Sequence, residues 1–211
     1  MFVRWKMTPN PIVIDPEVSI LDALHIMKEN KVRRLPVVAH GKLIGIVTER
    51  DLRESPALKA TSLSIYELNY LLAKTPVKEV MTRDPVTVTP DTTIEEAAVI
   101  MRDKEISGLP VVEDGKVVGI VTETDIFDML VRLLGFRRGV RLTLSLENRV
   151  GAIADLAGIF KELGINIISI VVFEEEYKEQ GNVVVRVEAE DVDRLTKALE
   201  SSGIKVVHIS R

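Results

Sequence analysis

Apolar positions in the first two thirds of the chain alternate between short β-branched runs and helical stripes, and the alternation occurs twice. Residues 86–88, after Pro85, predict a short strand. Ile94, Ala97, Ala98, Ile100 and Met101 then recur at helical spacing behind a Thr93 cap, with Glu96 three residues on as in a capping box. Residues 109–112 and 117–122 predict strands joined by Glu113-Asp114-Gly115-Lys116, a hairpin turn in which Gly115 tolerates positive φ. Asp125 opens a second helix that runs to about Leu134. The first copy repeats each step: Ser19 and Asp22 at the cap, the turn at His40-Gly41-Lys42, and a strand over residues 43–48. Between the copies, residues 63–73 are helical by pattern and Pro76 ends them. Beyond Gly139 the pattern changes. Strands over 140–146, 166–173, 182–188 and 205–209 and helices over 151–163 and 192–201 give the order βαββαβ, with Gly164 and Gly203 at helix ends.

The repetition is literal. Residues 7–52 align without a gap on residues 81–126, and 20 of the 46 pairs are identical. Two copies of one supersecondary unit pack to bury the faces neither can bury alone. Such a pair makes two related clefts, which points to a binding device before an enzyme. The expected organisation is a first repeat over residues 1–62, a linker helix over 63–76, a second repeat over 77–134, a junction over 135–139 and a second domain over 140–211.

Composition narrows the class. Apolar residues make up 46% of the 211 and aromatic residues only 4%, so the core is aliphatic. The first 139 residues carry 19 basic and 20 acidic side chains, and the remaining 72 carry 9 and 12, so neither part is a basic nucleic-acid surface. Arg137, Arg138 and Arg141 cluster at the junction, where a solvated or interdomain role competes with phosphate-backbone binding. The absence of cysteine excludes structural disulfides, thiolate zinc sites and cysteine nucleophiles. No signal peptide is apparent and residues 167–173 are too short to span a bilayer, so a cytoplasmic protein without membrane attachment is expected.

The residues with candidate chemistry are the twins Thr48-Glu49-Arg50-Asp51 and Thr122-Glu123-Thr124-Asp125. Each places a Thr at a strand end and an Asp in the first turn of a helix. Capping alone accounts for both residues. A functional role is compatible with it: helix N-termini attract anions, and a carboxylate there can accept two hydrogen bonds from a vicinal diol such as ribose. His25, His40 and His208 have no metal-ligand spacing. No phosphate-loop lysine, nucleophile elbow or Gly-x-Gly-x-x-Gly run occurs, so neither a metal site, a catalytic residue nor a catalytic cofactor is expected. Residues 174–181, rich in Glu, read as a solvated hairpin tip.

Met-Thr-x-x-Pro, Leu-Pro-Val-Val and Gly-h-h-Thr-x-x-Asp (h apolar), each present twice, resemble the tandem cystathionine-β-synthase (CBS) domains of a Bateman module. The resemblance implies two clefts for adenine nucleotides or related adenosyl ligands, such as AMP, ADP or ATP. It implies that Asp51 and Asp125 hold ribose hydroxyls and that Thr48 and Thr122 lie near ribose or phosphate. It also implies that backbone around Ile12–Val13 and Val86–Thr87 frames the base, and that Arg33 and Arg34, just before Leu-Pro, contact phosphate. Their counterparts are Ser107 and Gly108, so the clefts should differ, with the arginine-lined one preferring more highly phosphorylated ligands.

The segment Glu147-Asn148-Arg149-Val150-Gly151-Ala152, a helix, then Leu163-Gly164-Ile165-Asn166-Ile167 resembles an ACT domain, a module that often binds amino acids. The resemblance implies Asn148, Val150, Gly151 and Asn166 as contacts. The chain lacks the family's common Asp-x-Pro-Gly, which weakens ligand binding and leaves dimerisation intact. A CBS pair followed by an ACT domain is the arrangement of acetoin-utilisation (AcuB-type) proteins. The expected fold class is therefore mixed α/β (α+β): a tandem CBS pair, then a βαββαβ ferredoxin-like ACT domain. The expected function is non-enzymatic ligand sensing by a homodimer or larger homo-oligomer that acts on an enzyme. The alternative is a structural subunit that docks on a metabolic enzyme with its ligand sites vestigial.

Overall fold

The computed structural model describes residues 1–55, 64–173 and 180–211, which form two compact units, Met1–Ile126 and Phe127–Arg211. In the first unit the copies exchange their leading segments. Strand β1 (Thr8–Pro9) of copy one pairs not with its own repeat but with β6 (Lys116–Thr122), which also pairs with β5 (Gly108–Glu113). Reciprocally, β4 (Thr82–Arg83) of copy two joins β3 (Lys42–Thr48), which pairs with β2 (Arg34–Ala39). Each three-stranded antiparallel sheet therefore holds two strands from one repeat and one from the other.

The motifs explain the exchange. Gly45 and Gly119 stand where a Cβ would collide with Met81 and Met7 respectively, so the Met of each Met-Thr pair packs on the glycine of the other copy. Ahead of each strand a 3-10 turn, Val3–Trp5 or Val77–Glu79, drives a fully buried valine into the opposite repeat. Val77 lies in the first repeat's core beside Ile20, Met27, Leu35 and Val47. The amide of Val3 donates to Thr92 O at 2.8 Å, and Ile94 N donates to Met1 O at 2.8 Å.

Helices α1 (Ile20–Asn30) and α4 (Ile94–Lys104) bury Ile20, Ala23, Met27 and Ile94, Ala97, Met101, the expected apolar stripes less Ala98 and Ile100. Thr93 Oγ1 accepts from Glu96 N, but the reciprocal Glu96 bond of a full capping box is not made; Ser19 accepts from Asp22 N. The hairpin turns have positive φ at both central residues, His40-Gly41 and Asp114-Gly115, the geometry that suits strand twist. The expected strand over residues 86–88 does not form. Only Val88 pairs, in a single parallel bridge to Val111, while Val86 and Thr87 are exposed. Pro85 and Pro90 flank this run and offer no amide to a ladder. Helix α2 (Glu49–Arg53) is short. Helix α3 (Ile65–Lys74) starts behind a capping box of Ser64 and Glu67, and residue 63 of the expected linker helix lies outside the described residues. Helix α5 (Glu123–Leu133) begins two residues before Asp125.

The second unit follows the expected order: β7 (Val140–Glu147), α6 (Ala152–Glu162), β8 (Asn166–Phe173), β9 (Gln180–Glu188), α7 (Val192–Ser201) and β10 (Lys205–Ser210). Its four strands form an antiparallel sheet in the order β10-β7-β9-β8, a ferredoxin-like arrangement. Period-two alternation points Leu142, Leu144, Val183 and Val185 at Leu156, Phe160, Leu195 and Leu199 of the helices. The junction arginines act locally. Arg141 donates to Thr143 Oγ1 and Arg138 faces Glu188, while buried Arg186 donates to the Arg138 carbonyl at 3.1 Å. The Glu-rich tip expected over 174–181 lies largely outside the described residues. Among the described residues no helix is long and apolar enough to cross a membrane.

Candidate functional site

At the end of β3 the chain turns into α2 through a complete capping box. Asp51 N donates to Thr48 Oγ1 at 3.2 Å, and Thr48 N and Oγ1 both donate to Asp51 Oδ2 at 2.8 Å. Copy two repeats this at Thr122 and Asp125, with 2.8 Å from Thr122 N and 2.7 Å from Oγ1. Capping is therefore real, and it occupies one carboxylate oxygen only. Among the described residues, Oδ1 of neither Asp receives a hydrogen bond, so an acceptor remains on a half-buried, rigidly held carboxylate. Each Thr hydroxyl proton is committed to its Asp, which makes the threonines positioning residues rather than donors to a ligand. The helix ends offer little to an anion. Glu49 N already donates to Arg33 O and Asp51 N to Thr48, leaving Arg50 N as the first-turn amide outside these bonds.

Thr48 and Asp51 stand in a cleft of about 680 Å³ whose walls come from both repeats. This is within the range typical of small-molecule sites. The left-handed turn at Asp84 (φ 45°) redirects the chain after β4, so that Pro85 and Val86 of copy two line the same cleft. Val86 is 38% exposed and offers an apolar surface at the cleft. Thr87 does not line it. The twin half has the same backbone plan: β1 runs beside β6, Asn10 (φ 48°) makes the left-handed turn, and Ile12 and Val13 are exposed after it. The strand exchange therefore joins the Thr-Asp pair of one copy to the leading segment of the other. Sequence reasoning missed Thr82, Asp84 and Glu105 because they reach the Asp51 cleft from the opposite repeat. The one signal was the Asp-Pro inside the second Met-Thr-x-x-Pro.

Arg33 and Arg34 line the Asp51 cleft. They do not make it strongly basic. The carboxylates of Glu49, Asp51, Glu54, Asp84 and Glu105 outnumber the guanidiniums of Arg33, Arg34 and Arg50, and Arg50 is spent on Glu54 at 2.8 Å. The expected preference of this cleft for more highly phosphorylated ligands loses its basis in that balance. Arg34 is turned toward copy two, where Nη2 donates to Ser107 Oγ at 2.8 Å. Burial, then the neighbouring Arg33, hold its pKa below the ordinary guanidinium value, while Glu123 and Asp125 pull it upward.

The candidate amino-acid contacts do not meet within one chain. Asn148, Val150 and Gly151 follow the end of β7, whereas Asn166 opens β8 at the sheet end where β7 begins. Eight residues of strand, roughly 27 Å, separate them. Asn166 donates to Glu188 at 3.0 Å, and Val150 is fully exposed. Gly151 has φ 89° and no crowding at its Cα, so the turn explains it and close approach does not. Among the described residues no group of acidic or histidine side chains is arranged to hold a metal ion.

Comparison with known proteins matches the same two kinds of domain. The CBS domain model matches residues 3–57 and 77–132, more than half of the chain, and the ACT domain model matches residues 140–203. The chain belongs to the CBS-domain family, as a tandem pair followed by an ACT domain. The CBS pair of protein MJ0100, solved with 5′-methylthioadenosine and S-adenosyl-L-methionine, is 33% identical at a TM-score of 0.53, covering 62% of this chain and 95% of that one. CBSX2, solved with AMP, is 32% identical at a TM-score of 0.53, covering 65% and 99%. A Vibrio cholerae protein assigned to acetoin utilization (AcuB) is 33% identical at 0.54, covering 65% and 95%. Inosine-5′-monophosphate dehydrogenase of Korarchaeum cryptofilum is 40% identical over 117 residues, and the chain spans only 21% of that enzyme.

Proposed function

We propose that this protein is a non-enzymatic regulator whose CBS pair senses adenosyl ligands. One observation carries the reading: each capping box fixes an Asp and leaves one carboxylate oxygen unused, and the Asp51 twin stands in a cleft of nucleoside size. Asp51 and Asp125 accept from the ribose hydroxyls, with Thr48 and Thr122 holding them. Val86, and in the twin Ile12 and Val13, flank the base, and Arg33 and Arg34 meet the 5′ side. The adenosyl compounds bound by the MJ0100 pair and by CBSX2 support the class of ligand. Calorimetry against adenosine, AMP, ATP and S-adenosylmethionine should give saturable binding of at least one, at no more than two sites per chain. Silence toward all four defeats the reading.

We further propose a cytoplasmic homodimer that acts on a metabolic enzyme. Strands β8 and β10 are sheet edges with Val172 and Val207 more than half exposed, and unpaired edges are covered readily by a second copy. Any amino-acid site that uses Asn148, Val150, Gly151 and Asn166 together needs that second copy, because one chain holds them at opposite sheet ends. Sedimentation at micromolar concentration should show a species heavier than 23.5 kDa. A monomer alone would rule out both the dimer and this composite site.

A further inference from the structure

Arg34 stands between the two Thr-x-x-Asp turns. Its backbone pairs with Thr48 and it lines the Asp51 cleft. Its side chain crosses to copy two, where it donates to Ser107 and lies so close over Gly108 that a Cβ there would collide with the guanidinium. Gly108 is in turn the strand partner of Thr122, which caps the turn holding Asp125. The guanidinium thus ends beside the second Thr-x-x-Asp turn, where Glu123 and Asp125 act on it. Copy two has Gly108 at the position of Arg34, so no second guanidinium returns from the other side.

We propose that Arg34 is shared by the two clefts, so that a 5′-phosphate bound in one takes the guanidinium from the other. The proposal rests on the adenosyl reading above and adds a negative coupling that only phosphorylated ligands feel. A guanidinium presents its paired donors to one phosphate at a time. The second phosphate finds this arginine engaged. Adenosine makes no demand on Arg34 and fills the clefts independently. The coupling is reciprocal: whichever cleft fills first weakens the other by the same factor.

The test is calorimetry of the full chain with AMP and with adenosine, beside Asp51→Asn and Asp125→Asn, each of which leaves one intact cleft. With AMP, the second binding step of the parent should be about tenfold weaker than binding to the single-cleft variant that keeps the same cleft, a coupling of ordinary size. Adenosine should show no such gap. The gap should close in Arg34→Gln, and also in Gly108→Ala, which displaces the guanidinium without removing its charge. A gap that adenosine shares, or that survives both substitutions, overturns the sharing of Arg34, as does equal AMP binding with and without an occupied neighbour. In those cases the adenosyl reading stands. If neither compound binds either cleft, the sharing of Arg34 fails, and the adenosyl reading fails with it when ATP and S-adenosylmethionine are silent too.

Discussion

Replacing Asp51 or Asp125 by asparagine should weaken adenosyl binding in its own cleft by roughly 10- to 150-fold, the loss of about 1.5–3 kcal/mol expected for hydrogen bonds to a charged acceptor. Thermal stability should scarcely change. Asparagine can turn its carbonyl oxygen to Thr48 N and Oγ1, as Asp51 Oδ2 does, and so preserve the cap. What it presents to the cleft is then an amide N–H₂, a donor where ribose hydroxyls need an acceptor. Alanine is the informative contrast. It removes the acceptor together with the bonds from Thr48 N and Oγ1, while Thr48 Oγ1 still caps the amide of residue 51, so Asp51→Ala should lose ligand and also about 1 kcal/mol of stability. Isothermal titration beside thermal melts separates the two roles. Undiminished binding in the asparagine variants would leave these residues as helix caps and nothing more.

Removing residues 1–7 should damage the second repeat, not the first to which they belong in sequence. The deletion strips buried Val3 from copy two, with the amide bonds Val3 N to Thr92 O, Arg4 N to Pro90 O and Ile94 N to Met1 O, and uncovers Gly119 by removing Met7. Burying a valine contributes about 1.5–3 kcal/mol and each hydrogen bond about 1 kcal/mol, so the loss is roughly 4–6 kcal/mol. That is a large part of the stability of an ordinary domain. Hydrogen exchange should show protection lost first in α4, β5 and β6, while β2 and β3 persist. The opposite order would mean that the leading segments do not hold the repeats together in solution.

Much of this was legible from local chemistry. The Thr48–Asp51 and Thr122–Asp125 boxes are contacts between residues three apart, and spacing alone defines them. The apolar stripes of α1 and α4, the Gly41 and Gly115 turns and the alternation of β7 likewise depend on near neighbours. The strand expected over residues 86–88 failed for a non-local reason: β-branched residues favour extended backbone, but a strand needs a partner along its length, and here only Val88 meets one.

By itself the sequence determined the duplication, the capping boxes and the order of elements, because each is encoded in residue type and short spacing. Only the tertiary structure decided which halves make a cleft. The exchange of β1 and β4 joins Asp51 to Val86, residues whose separation of 35 positions carries no periodic signal. It also decided the character of that cleft, since Asp84 and Glu105 arrive from the other repeat to offset Arg33 and Arg34. Charge balance in a site depends on what the fold brings within reach, and Arg34, adjacent in sequence to Arg33, spends its hydrogen bond on the opposite copy.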